Sequence, residues 1–168
     1  MPTTPSKPAT TSERTSDRTF VVRHTALAPA LRVYEAWTRQ ERFAQWWVPT
    51  SCGLTLASCE MDVRVGGTYR LVFPHGDTTM AFFGTYTEVS PPRRLAWTNE
   101  ESGEDQTVLT TVTLDERDGV TLLAVEDLYP SADALDAAIA CGATAGLPES
   151  LAQLDAFLAE SDVAAHGA

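Results

Sequence analysis

Glu126 and Asp127 stand side by side where the last strand-like stretch of the sequence gives way to Leu128-Tyr129-Pro130. If a strand persists that far, one of the two must face inward, because neighbouring strand residues point to opposite faces. A carboxyl removed from water keeps its proton to higher pH and can act as a general acid or base. Charged side chains are mostly exposed, so the expectation is that both lie in the exit loop and meet water. His24 is the candidate partner base on an early strand, and alternation leaves its direction open. Cys141 has no cationic sequence neighbour to favour a thiolate and reads as a small packing residue. Asp62 and Arg64 flank Gly66-Gly67 as an exposed pair that steadies a turn and contributes little energy. Catalytic residues therefore stay unassigned.

The other chemistry-bearing set is aromatic. Half of the four tryptophans sit together at Trp46 and Trp47. Two adjacent indoles cannot easily share one core site, so the pair forms either a corner of the core or a pocket wall. Trp46, Trp47, Tyr69, Phe73, Phe82 and Trp97 are the candidate ligand-binding residues, since flat rings offer large apolar contact. Ordinary core packing is the competing reading for each. Tyr69, Leu71 and Phe73 share one strand face, while Phe82 and Phe83 must oppose each other.

Composition narrows the function classes. The formal charge is −11, and Lys7 is the single lysine among twelve basic residues. Such a surface repels phosphate backbones and anionic head groups, which argues against nucleic-acid and membrane partners. Three cysteines (Cys52, Cys59 and Cys141) cannot all pair within one chain, and they read as reduced thiols in a cytoplasmic protein. The scattered His24, His75 and His166 complete no ligand spacing, so no metal is expected. No phosphate loop, dinucleotide fingerprint or nucleophile elbow appears, and no cofactor is expected. The start of the chain lacks the basic and apolar regions of a signal peptide.

These residues must be positioned by one domain, which 168 residues at 43% hydrophobic content can supply. Residues 1–17 are Pro-, Thr- and Ser-rich and read as a disordered tail, with a loose end over 161–168. The domain spans 18–160. Thr19–His24 is β-branched and suggests a strand, and Pro29 starts a helix with Val33, Ala36 and Trp37 on one face. A second short helix covers Glu41–Trp46. Residues 54–126 read as about six consecutive strands, with turns at Gly66-Gly67, Pro74–Asp77, Pro91-Pro92 and Asp118-Gly119. Ser131 is an N-cap for a final helix whose stripe runs through Leu135, Ile139, Leu147, Leu151, Leu154 and Leu158. Pro148 is expected to kink that single helix rather than divide it. The class is α+β, in β-α-α-β6-α order: a curved antiparallel sheet wrapped around a long C-terminal helix.

This order, together with four motifs, resembles the helix-grip SRPBCC (START-like, birch-pollen-allergen-like) superfamily. The motifs are Ala28-Pro29 with Val33, Ala36 and Trp37; Trp46-Trp47; Asp62–Gly67; and Gly84–Val89 with Pro92–Leu95. The ending Gly146–Leu151 with Leu154 is similar to that family's last helix. Within the superfamily the chain looks like the branch named after the activator of the heat-shock chaperone ATPase. The resemblance implies a cavity for apolar small molecules between sheet and final helix. The implied function is binding of an apolar or aromatic ligand. The alternative is a cavity enzyme of cyclase, dehydratase or hydrolase type using an inward carboxylate or histidine. A chaperone-interacting protein ranks below both, because the 168 residues read as one domain and a full activator is expected to carry a separate amino-terminal domain as well. The expected partner is a small apolar molecule, with a homodimer as a further candidate.

Overall fold

The computed structural model describes residues 10–100, 106–142 and 144–166. Eight strands form one sheet: β1 (Thr10–Arg14), β2 (Thr19–Ala26), β3 (Ser58–Met61), β4 (Thr68–His75), β5 (Thr78–Ser90), β6 (Arg94–Asn99), β7 (Val108–Arg117) and β8 (Val120–Leu128). Their spatial order is β1-β2-β8-β7-β6-β5-β4-β3. Every neighbouring pair is antiparallel. The run from β3 to β8 is an antiparallel meander, and β2 joins it by pairing with β8. The described residues also form four α-helices, α1 (Ala30–Thr38), α2 (Gln40–Trp46), α3 (Ala132–Ala140) and α4 (Leu147–His166), and one 3-10 turn over Thr50–Cys52. The curved sheet and the long last helix make a helix-grip fold.

Helix α1 begins where Pro29, which has no N–H to satisfy, sits at the cap. The orphan N–H of Ala30 is taken by the Glu116 carboxylate on β7 at 2.8 Å, favourable at the positive end of the helix. Its Val33, Ala36 and Trp37 face is fully buried. On α4, Leu151, Leu154 and Leu158 lie in the same core. Each such leucine contributes about 1.5–3 kcal/mol by leaving water.

Three expectations are corrected here. Thr10–Arg14, inside the stretch read as a disordered tail, is edge strand β1, paired from Thr10↔His24 to Arg14↔Phe20. A polar strand needs no core of its own when a ladder and one buried partner hold it. Residues 1–9 lie outside the described residues. At the other end, α4 continues to His166 through most of the stretch expected to be loose.

The single kinked helix is two helices. Gly142, at φ +83, takes the left-handed conformation that closes α3, and its N–H returns to the Ile139 carbonyl. Pro148 is the second residue of α4, where a missing N–H costs nothing. The break also splits the apolar stripe. Leu135 stays buried, while Ile139 is 40% exposed.

Candidate functional site

The inward positions of the sheet follow from strict alternation. Tyr69, Leu71 and Phe73 on β4, Leu95 and Trp97 on β6, Val112 and Leu114 on β7, and Leu123 and Val125 on β8 are all buried. Phe82 is partly buried against the core, and its neighbour Phe83 is exposed. Gly84 on β5 is there because no side chain fits. A Cβ would stand 1.7 Å from the Thr98 carbonyl oxygen and 2.9 Å from the Tyr69 ring.

Between this face, the α2–β3 connection and the facing sides of α3 and α4 lies a cavity of about 750 Å3. Its apolar walls include Trp37, Trp47, Tyr69, Phe73, Phe82 and Trp97. The rings meet edge to face or tilted, which holds each at a fixed angle: Trp37–Trp97 at 5.8 Å, Phe73–Phe82 at 5.6 Å and Tyr69–Tyr86 at 5.8 Å. Phe43 stacks on Trp47 at 4.9 Å. The opposite wall is small, with Ala134, Ala137 and Ala138 of α3 keeping the space open.

Five of the six ligand-binding candidates thus lie on the cavity, and Trp46 does not. Trp46 is 1% exposed and turns into the core, where its Nε1 donates to the Ala36 carbonyl at 2.9 Å. The adjacent indoles divide the roles between them. One is core, the other wall.

Side chains from α4 hold the wall segment that carries Trp47. Gln153 Nε2 donates to the carbonyls of Trp46 and Val48, both at 2.8 Å, and its Oε1 accepts from Thr50 N–H at 2.9 Å. Ser150 Oγ donates to the Trp47 carbonyl at 2.7 Å. Glu149 accepts from the Ser51 N–H and hydroxyl, which hold its carboxyl below the usual carboxylate range.

At the polar end the expectation for Asp127 is corrected. β8 runs to Leu128, so alternation from Leu123 and Val125 carries Asp127 to the concave side and Glu126 to the exposed one. Asp127 as a residue is half-buried, with its carboxyl set among protein atoms beside the cavity. Burial raises its pKa to about 6, against the lowering effect of the Thr110 hydroxyl; the Glu126 charge adds to the rise. Tyr129, also on the cavity, is pushed up to about 12 by burial and by Asp127.

A hydrogen-bonded chain leads to this acid. Asn99 Nδ2 lies 3.0 Å from the Val108 carbonyl, a pure acceptor, which fixes the amide's orientation. Its other N–H then points to Thr110 Oγ1 at 2.9 Å, while its Oδ1 and the Thr98 carbonyl share the Tyr69 hydroxyl proton, each at 3.0 Å. The one hydroxyl proton of Thr110 is left for Asp127 Oδ1, at 2.6 Å. Asn99, Thr110 and Asp127 were legible only through strand phase, since none belongs to a motif.

His24 takes no part. It is 3% exposed, with Nδ1 against Thr10 Oγ1 at 2.6 Å and Nε2 against Asp155 Oδ1 at 2.9 Å. It ties β1 and α4 to β2. Cys141, expected to pack, is exposed at the α3 end of the cavity. Cys59 is a free thiol too. The Asp62–Arg64 pair is exposed, at 2.8 Å. No group of ligands fit for a metal ion occurs among the described residues. No helix among them is long and apolar enough to cross a membrane.

The sequence matches the family described as "Activator of Hsp90 ATPase homolog 1-like protein" over residues 27–159. No curated protein matches at a significant level. Among solved structures, a protein from Rhodobacter sphaeroides superposes with TM-score 0.80 at 23% identity, covering 90% of this chain and 99% of that one. Protein Ms6760 from Mycobacterium smegmatis gives 0.77 at 22% identity, with 91% and 99% covered. Protein CV1439 from Chromobacterium violaceum gives 0.69 at 27% identity, with 85% and 98% covered.

Proposed function

The chain belongs to the family of activator of Hsp90 ATPase homolog 1-like proteins, and from that premise we propose that it binds a small, largely apolar or aromatic molecule in its internal cavity. The observation that carries this reading is the cavity's make-up: about 750 Å3, walled by aromatic rings and closed by one short polar chain. Ligand pockets commonly span about 300–1,000 Å3, with apolar walls for affinity and few polar groups for orientation. Binding of this kind needs no cofactor.

Titration with the neutral fluorescent probe N-phenyl-1-naphthylamine tests the reading. Saturable binding near one molecule per chain is expected, lost when Ala138→Trp fills the cavity from α3. Absence of saturable binding, or binding that Ala138→Trp leaves unchanged, would overturn it.

Asp127 favours a second reading, a cavity enzyme. A carboxyl that titrates at about 6 exchanges its proton readily near neutrality and suits general acid–base work. Glu126 is exposed and His24 is engaged by Thr10 and Asp155 outside the cavity lining, so Asp127 is the one candidate left from the residues first considered. Turnover of a bound molecule that Asp127→Asn abolishes without weakening its binding would establish this reading over simple carriage.

A further inference from the structure

Building on the binding reading, we infer that the polar end of the cavity is an amine seat: the ligand is a largely apolar molecule carrying a protonated nitrogen that pairs with the Asp127 carboxylate. Several observations converge on this. The cavity-lining residues described include no lysine, arginine or histidine, and Asp127 is the one carboxylic acid among them. Its Oδ1 is occupied by Thr110, whose proton is committed by the fixed orientation of Asn99. No other hydrogen bond from the described residues reaches the carboxylate.

A half-buried carboxylate with one neutral protein donor keeps acceptor sites open toward the cavity, since an ionised group has room for about four donors. A ligand N–H on a cationic nitrogen supplies both the missing donor and the missing charge, the stronger kind of hydrogen bond. Anionic ligands are selected against twice. They would meet Asp127 as a like charge inside the cavity, and they would approach a chain of formal charge −11. Tyr129 beside the acid keeps its proton and offers a neutral hydroxyl, so it does not alter this choice of charge.

The test compares three molecules that share one ring system: 1-naphthylmethylamine, 1-naphthalenemethanol and 1-naphthoate. Each is titrated at pH 7.5, by displacement of N-phenyl-1-naphthylamine and directly by quenching of tryptophan fluorescence. The amine is expected to bind at least about tenfold more tightly than the alcohol, and the naphthoate most weakly. In Asp127→Asn the amine should fall to within about twofold of the alcohol measured in that same variant. Equal binding of amine and alcohol by the unaltered protein would overturn the amine seat while leaving the cavity reading intact. So would an amine advantage that survives Asp127→Asn. If none of the four molecules binds, both readings fall.

Discussion

Replacing Asp127 with asparagine should stabilise the protein at neutral pH and leave it unchanged in acid. In the fold, this carboxyl titrates at about 6 rather than 3.8, chiefly because burial disfavours its charge. The folded state therefore holds its proton more tightly than the unfolded chain does. Stability from this group is fully present below about pH 4, falls as pH rises from 4 to 6, and is flat above that. At about 1.36 kcal/mol per pH unit, the ionised fold is weaker by about 3 kcal/mol at pH 7.5. Asparagine is neutral throughout and keeps an oxygen that can accept from Thr110. The variant should thus melt about 6–12 °C higher at pH 7.5, given 2–4 °C per kcal/mol for a chain of this size. Urea unfolding followed by tryptophan fluorescence at several values between pH 4 and 7.5 would measure the gap. The other carboxylates are common to both proteins and cancel. A gap that does not widen between pH 4 and 6, or a variant less stable at pH 7.5, would refute the burial argument.

Other outcomes follow from particular contacts. Gly84→Ala pushes a methyl into the Thr98 carbonyl and the Tyr69 ring, so a loss of about 1–3 kcal/mol is expected by thermal unfolding. It should also weaken probe binding, because Tyr69 heads the chain to Asp127. His24→Ala removes hydrogen bonds to both Thr10 and Asp155, with an expected cost of about 1–3 kcal/mol and faster proteolysis within β1. Gln153→Leu frees the carbonyls of Trp46 and Val48, so amide exchange should quicken across residues 47–51 while the sheet stays protected. Leu154→Ala opens the buried face of α4 and should cost about 2–5 kcal/mol in urea unfolding.

Turn chemistry and strand alternation made most of the fold legible. The meander from β3 to β8 follows from Gly66-Gly67, Gly76-Asp77 and Asp118-Gly119, and the buried rows from period two. What escaped had weak local signals. β1 is polar along its whole length and is held by its ladder to β2 and by His24 underneath. The division of α3 from α4 depends on Gly142 and Pro148 acting together, whereas the leucine spacing runs through the gap. The site was half legible. Aromatic residues announce walls, but adjacency alone could not say which of Trp46 and Trp47 turns inward. Asp127 was misplaced for a different reason. Its environment depends on where β8 ends, and element boundaries are the least determined feature of a sequence. One more strand residue moves a carboxylate from solvent to the cavity.

The four indole N–H groups offer the most direct test of the cavity as the binding site. Trp37, Trp47 and Trp97 line it, while Trp46 is sealed against the Ala36 carbonyl and serves as an internal control. Proton–nitrogen correlation spectra recorded during titration with N-phenyl-1-naphthylamine should show the Trp47 and Trp97 indole signals moving together to saturation. The Trp46 signal should stay in place. Shifts confined to surface amides, or Trp46 moving as far as Trp47, would contradict binding within the cavity.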